Sequence, residues 1–324
     1  MPKLSADRRN LISPLSVSIC VPAHNEGKNI SYILEALITQ ETKDIKINKI
    51  IVVSSGSTDD TDQIASQFVK KDTRVKLITQ KSRSGKASAI NAFLKVVDDP
   101  VLVIESADTV PNPDAIELLC RPFLENEEIG LTGGAPIPVN DDNTFTGYLV
   151  HTWWWFHRNI PRFGEIIAYR NIFPEISKTT AVDEAYIQAK VIQSGLKAVH
   201  IDQAIVRNKG PETISDLLKQ RRRIFNGHSR LFQEEGIKID NMTKSSLRLL
   251  LKYQPKTMLH SLWLVGGMFI EIYARILGAY DVHVRNYNPF VWDTATTTKN
   301  LALVEEEDGD EMPNGQELLA DGEE

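Results

Sequence analysis

Four short stretches carry side chains able to do chemistry, and they fall in a fixed order. Pro22-Ala23-His24-Asn25-Glu26 follows one apolar run, Ser54-Ser55-Gly56-Ser57-Thr58-Asp59-Asp60 a second, and Ser106-Ala107-Asp108-Thr109 a third. Gln220-Arg221-Arg222-Arg223-Ile224 comes later, in a stretch of helical character. Asn25 and Glu26 can accept from a ribose hydroxyl or a base N–H. Asp108, with Glu105 nearby, can hold Mg2+ or Mn2+ against a diphosphate, or it can cap a helix near Pro113. Asp59 or Asp60 either faces a ligand or caps the helix beginning near Thr61. Ser84-Gly85-Lys86 opens a helix with a flexible residue and a cation, which suits an anion, but lacks the glycine spacing of a P-loop. Asp183-Glu184 starts a further helix. One of these carboxylates can deprotonate an acceptor hydroxyl, and both equally suit the helix dipole. Gln220 and Arg223 share a helix face. Arginine there suits bidentate phosphate contact, although three consecutive arginines also describe a solvated basic face. Read together, the stretches describe a nucleotide-sugar site.

The elements that must position these residues follow from hydrophobic spacing. Residues 17–21, 49–53, 75–79 and 101–104 are apolar runs of strand length. Between them lie helical spacings: Ile30, Ile33, Leu34, Leu37, Ile38; then Ile64, Ala65, Phe68; then Ala87, Ile90, Phe93, Leu94, Val97. The alternation predicts an α/β fold with a mostly parallel sheet, helices on both faces and right-handed crossovers. Ligands bind such a sheet beyond the carboxyl ends of its strands, where the first three stretches lie. The pattern changes after Gly133-Gly134-Ala135-Pro136. Residues 182–194 predict a helix closed by Gly195, 198–201 a strand, and 214–235 a long helix after Pro211. Trp153, Trp154 and Trp155 cannot all share one helix face, so core packing and acceptor stacking both remain open.

The 324 residues are 42% hydrophobic and 25% charged, a globular composition. The formal charge of -6 comes largely from residues 305–324, which hold ten acids and no Lys or Arg. The remaining body is mildly basic, which suits an anionic ligand or a membrane surface without requiring either. Cys20 and Cys120 have no zinc or disulfide spacing, so a reducing compartment is expected. Residues 1–14 lack a signal-peptide core. Residues 257–270 contain no Asp, Glu, Lys or Arg, and Lys244, Arg248, Lys252 and Lys256 precede them. That combination describes a helix lying at a membrane interface or a buried core helix. Glu271 and Arg275 argue against a bilayer span. The expected division is an N-terminal arm (1–14), a catalytic domain (15–240, with halves 15–135 and 136–240), an amphipathic helical region (241–285), an extension (286–304) and an acidic disordered tail (305–324).

With these residues in order, the chain resembles family 2 glycosyltransferases of the GT-A fold, a Rossmann-like architecture, in their cellulose-synthase-like, non-processive branch. The likeness runs from about Val17 to His228. The family's P-x-x-N-E falls at Pro22, Asn25 and Glu26, and its G-S-T-D-x-T at Gly56 to Thr61. Its G-K-x-x-A-x-N falls at Gly85, Lys86, Ala89 and Asn91. Its D-x-D keeps only Asp108, its E-D keeps only Asp183, and its Q-x-x-R-W-x-x-G keeps Gln220, Arg223 and Gly227. The resemblance implies an inverting transfer from a UDP- or GDP-linked sugar to a hydroxyl of a polysaccharide or lipid-linked acceptor, with Asp183 as base. It implies donor contacts at Pro22, Ala23, Asn25, Glu26, Ser55, Asp60, Lys86, Ala107 and Asp108. Phosphate or acceptor contacts fall at Gln220, Arg221 and Arg223, and Mg2+ or Mn2+ at Asp108. No nucleic-acid partner is expected, and the location is cytoplasmic or peripheral on the cytoplasmic face of a membrane. Ser54-Ser55 replaces an Asp pair, Ser106 the first Asp of D-x-D, and Ile224 the Trp. A catalytically silent sugar-nucleotide binder and a nucleotidyltransferase are the alternatives.

Overall fold

A computed structural model describes residues 13–159, 163–236, 249–250, 252–291 and 296–298. The expectations for the first twelve residues, for Lys244 and Arg248, and for the acidic tail lie outside the described residues.

The first half is built from β1 (Leu15–Ala23), α1 (Ile30–Ile38), β2 (Ile45–Ser55), α2 (Thr61–Lys71), β3 (Val75–Gln80), α3 (Lys86–Leu94) and β4 (Val101–Glu105). The strands pair in parallel in the order β3-β2-β1-β4. Their apolar runs are continuous because both faces are covered. Ile19 and Val21 of β1 pack with Ile30, Ile33, Leu34 and Leu37 of α1 on one face. Cys20 packs with Ile90 and Phe93 of α3 on the other. The same alternation divides Val101 and Val103 from Leu102 and Ile104 along β4.

The second half adds β5 (Thr109–Pro111), α4 (Ala115–Cys120), α5 (Pro122–Glu125), β6 (Ile129–Pro138), α6 (Phe145–Asn159), β7 (Ile166–Arg170), α7 (Asp183–Gln193) and β8 (Lys197–Asn208). These strands extend the same sheet to eight, ordered β3-β2-β1-β4-β7-β6-β8-β5. β7 runs antiparallel to both β4 and β6, β6 pairs in parallel with β8, and β5 closes the edge antiparallel to β8. The sheet is therefore mixed, and the expected 135/136 division falls inside β6. Gly133-Gly134 reads as a turn signal in sequence, yet the pair occupies a strand interior. A Cβ on Gly134 would meet the Ala204 carbonyl oxygen at 2.5 Å, so this glycine admits a close backbone approach.

Two long helices follow: α8 (Ile214–Glu235) and α9 (Met258–His283). Thr213 caps α8 by accepting from Asp216 N, and Gly236 ends it in the left-handed conformation. α9 packs on α8 and α6. Gly278 makes this possible, because a Cβ there would meet Phe225 at 2.7 Å and the Arg222 carbonyl at 3.1 Å.

Candidate active site

The loops after β1, β2 and β4 open on one side of the sheet and bound a cavity of about 1020 Å³ together with α7, α8 and α6. Of the residues singled out from sequence, Pro22, Ala23, Glu26, Ser55, Lys86, Ala107, Asp108, Asp183, Gln220, Arg221 and Arg223 line it. Asn25 and Asp60 do not.

These two exceptions have a physical reason. Asn25 sits at φ +53° and holds neighbouring loops together. Thr58 N donates to Asn25 Oδ1 at 2.7 Å, and Asn25 N donates to Ser57 Oγ at 3.1 Å. Glu26 N donates to Thr61 Oγ1 at 2.8 Å and Gly27 N to Asp59 Oδ2 at 2.9 Å. The loops after β1 and β2 are thus zipped to each other. Asp60 occupies the cap position of α2 rather than the cavity wall. The two serines that replace the Asp pair are also engaged locally. Ser54 Oγ donates to Ser57 Oγ at 2.8 Å, and Ser55 Oγ accepts from Ser84 N at 3.0 Å.

Charged groups gather at the floor of the cavity. Lys86 Nζ donates to Ser106 Oγ at 3.1 Å and forms an ion pair with Glu184. Burial alone would lower the Lys86 pKa, but the Glu184 and Asp183 carboxylates outweigh it and hold the ammonium protonated. Burial likewise acts to raise the Glu184 pKa, and Lys86 overcomes that, leaving it below the usual value. Asp183, at the first turn of α7, is 1% exposed, and its Oδ1 has no hydrogen-bond partner among the described residues. Burial, with the neighbouring Glu184 charge, pushes its carboxyl up to about 7 against the pull of Lys86 and Arg223. Burial draws the Arg223 pKa down, while Glu184, Asp183, Glu165 and Asp108 hold its charge in place.

Arg221, expected at the phosphate or acceptor, lines the cavity and also has a partner on α9. It makes a two-point ion pair with Glu271 of α9, at 2.7 and 3.1 Å, and lies 5.0 Å from the centre of the Trp153 ring. Arg222 is engaged in the same way with Asp281. The tryptophans divide as their spacing requires: Trp153 and Trp154 line the cavity, whereas Trp155 packs edge-on to Tyr253 with ring centres 5.0 Å apart.

Sequence reasoning missed Glu165. It enters the cavity wall at the start of β7, with φ +56°. Burial, then repulsion from Asp108, raises its carboxyl to about 7, with Lys86 and Arg223 opposing. The available signal was a lone carboxylate directly before the four-residue apolar run Ile166-Ile167-Ala168-Tyr169. Also missed was the chain beyond α9, where Tyr287, Pro289 and Val291 border the cavity. Asn226 Nδ2 donates to Tyr287 O and Asn288 Nδ2 to Thr179 O, both at 2.9 Å. Glu105, by contrast, points away from the cavity. It accepts from Thr109 Oγ1 at 3.0 Å, and burial raises its carboxyl to about 8.

Residues 18–183, just over half of the chain, match the model for Glycosyl transferase family 2. The chain belongs to this family. Glycosyltransferase GlyG of Streptococcus pneumoniae serotype 4 is 30% identical over 133 residues, covering 41% of this family 2 chain and 43% of GlyG. The matched stretch thus spans less than half of that relative. The O-antigen chain rhamnosyltransferase RfbN of Salmonella typhimurium is 26% identical over 214 residues, covering 60% of this chain and 66% of RfbN. Among solved structures, mannosyltransferase PcManGT from Pyrobaculum calidifontis, in complex with GDP-Man and Mn2+, superposes with a TM-score of 0.54 at 18% identity. That likeness covers 86% of this chain and 83% of the other, and it establishes a shared fold.

A divalent ion is implied by the resemblance. Among the described residues no three carboxylate, histidine or cysteine side chains gather into a metal cage. Mg2+ and Mn2+ are hard cations that bind through one or two carboxylates, with substrate phosphates and water completing the shell. Asp108 presents such a carboxylate to the cavity, so the donor chemistry fits an ion that arrives with a diphosphate.

Proposed function

We propose that this chain is an inverting glycosyltransferase, taking a sugar from a nucleotide-diphosphate donor to an acceptor hydroxyl with Asp183 as general base. The observation that carries the reading is the buried Asp183 carboxylate in the wall of the cavity, with one oxygen unpartnered among the described residues and burial raising its carboxyl to about 7. A base poised near the working pH combines the right ionisation state with useful proton affinity.

In this reading the acceptor oxygen attacks the anomeric carbon, its proton passes to Asp183, and the bond from that carbon to the diphosphate oxygen breaks on the opposite face. Negative charge develops on the departing diphosphate. A divalent ion bound there would neutralise part of it as a Lewis acid, held by Asp108. Arg223 supplies a fixed positive charge on the same wall. Lys86 fixes Glu184 and so shapes the field at Asp183. The zipped loops after β1 and β2 form the nucleoside wall, with Pro22, Ala23, Glu26 and Ser55 facing the cavity. Asn25 contributes by holding those loops together, and Gln220 lies on the same helix face as Arg223. Donors of the GDP-Man kind, seen with PcManGT, and UDP-linked sugars are the first to try. The acceptor is a polysaccharide or lipid-linked hydroxyl, and the exposed apolar side of α9 suits docking at the cytoplasmic face of a membrane.

The test is Asp183→Asn. It should lower kcat by at least about a hundredfold, the usual contribution of a general base, while leaving donor affinity within about threefold. Unchanged turnover would remove Asp183 from the mechanism. A wild-type chain that binds sugar nucleotides but transfers to none of a panel of acceptors would favour the silent-binder alternative.

A further inference from the structure

Two unusual residues face each other across one strand pair. Ser106 stands where the D-x-D pattern has its first carboxylate. β4 and β7 are antiparallel with Glu105 opposite Ile166, and Ser106 N donates to Glu165 O at 3.0 Å just beyond the ladder. Both residues line the cavity together with Asp108.

The Ser106 hydroxyl is engaged by Lys86 at 3.1 Å and carries no charge. Among the described residues the Glu165 and Asp108 carboxylates make no hydrogen bond and no ion pair. The buried Asp183 Oδ1 in the same wall also lacks a partner. Two like-charged carboxylates lining one space repel each other, and a divalent cation between them relieves that repulsion.

We propose that Glu165 is the second protein carboxylate for the divalent cation accompanying the donor diphosphate, replacing from just before β7 the charge that Ser106 removes just after β4. Asp108 supplies the first. The inference rests on the nucleotide-diphosphate reading above. It assigns a ligand from the residue just before β7, outside the D-x-D pattern.

The experiment is Mn2+ binding to the full-length chain with UDP or GDP, followed by the loss of the free-ion electron paramagnetic resonance signal. It compares wild type, Glu165→Gln and the double variant Ser106→Asp/Glu165→Gln. Thermal unfolding checks that each is folded. Glu165→Gln should weaken nucleotide-dependent Mn2+ binding by about tenfold or more, in the range found when groups supporting a metal site are removed. The double variant should recover much of the loss, because it restores a carboxylate at the facing position. Glu165→Gln binding as tightly as wild type, or a double variant no better than Glu165→Gln alone, would overturn the assignment. Wild type that takes up no more Mn2+ with either nucleotide than without would overturn both the assignment and the donor reading beneath it.

Discussion

The chemistry of the cavity depends on a few charges whose neighbours fix their state. In the proposed role Asp183 must be ionised to accept a proton, and burial raises its carboxyl to about 7. The rate should therefore rise about tenfold per pH unit below 7 and level off above it. A kcat profile from pH 5.5 to 8.5 checks this, and a flat profile would contradict it. Stability has the opposite sign. The folded-state value lies above the unfolded value of about 3.9. Protonated Asp183 thus favours folding at pH below 4, and this contribution is lost as pH rises through 7. Asp183→Asn should raise the melting temperature more at pH 8 than at pH 5. Lys86 is the second key charge. Lys86→Met would leave Glu184, whose side chain is 16% exposed, without its counter-charge. Breaking a largely buried pair from one side costs about 3–5 kcal/mol. Denaturant unfolding should show a loss of that order, and adding Glu184→Gln should recover most of it.

At the scale of elements, the first three βα units were legible because apolar runs and helical spacings alternate without interruption. β6 and β7 were not. Gly133-Gly134 imitates a turn, and β7 is a short antiparallel insertion whose reversed direction has no local signature. Glu165 was therefore invisible as a site residue, since its meaning lies in facing Ser106 across a strand pair. The motif residues were legible as a set, but their division of labour was not. Asn25 and Asp60 read as ligand contacts in sequence, whereas the structure, with the loop after β2 folded against the loop after β1, leaves both out of the cavity lining. The partnership of α8 with α9 was equally hidden, because Arg221 and Glu271 are fifty residues apart in sequence. That pair now defines a prediction. Burial pushes the Glu271 carboxyl up, but Arg221 and Arg275 outweigh it and hold it at about 2. Its contribution is present above the unfolded carboxyl value of about 4.3 and is lost as pH falls toward 2. Glu271→Gln should destabilise the chain by about 3 kcal/mol at pH 7, toward the low end for a buried pair. The gap from wild type should narrow at pH 3. A gap independent of pH would mean that shape, not charge, sets the contact.

At the scale of the whole molecule, α9 has two unlike sides. Gly267, Ala274, Gly278, Asp281 and Val282 are buried toward the body. Met258, Leu262, Val265, Phe269, Ile272, Ile276 and Tyr280 recur at three- and four-residue steps and are exposed, Met258 at 83% and Phe269 at 68%. The helix is long and apolar enough to cross a membrane. Its polar side is nonetheless tied to α8 through Arg221, Arg222, Glu271 and Asp281, and a span would have to separate those ion pairs from the catalytic body. A helix of 26 residues lying flat would instead lay an apolar stripe about 39 Å long on a bilayer. Leu262→Glu with Phe269→Glu places two charges on that stripe without touching the packed side. The double variant should keep the wild-type melting temperature and its turnover on a soluble acceptor, and it should lose co-sedimentation with vesicles of mixed neutral and anionic lipid. Equal sedimentation of both proteins would assign the stripe to a protein contact rather than to lipid. Because α8 carries Gln220 and Arg223 on the cavity wall and Arg221 in the contact with α9, a lipid-docked α9 would present the cavity to an acceptor held at the same surface.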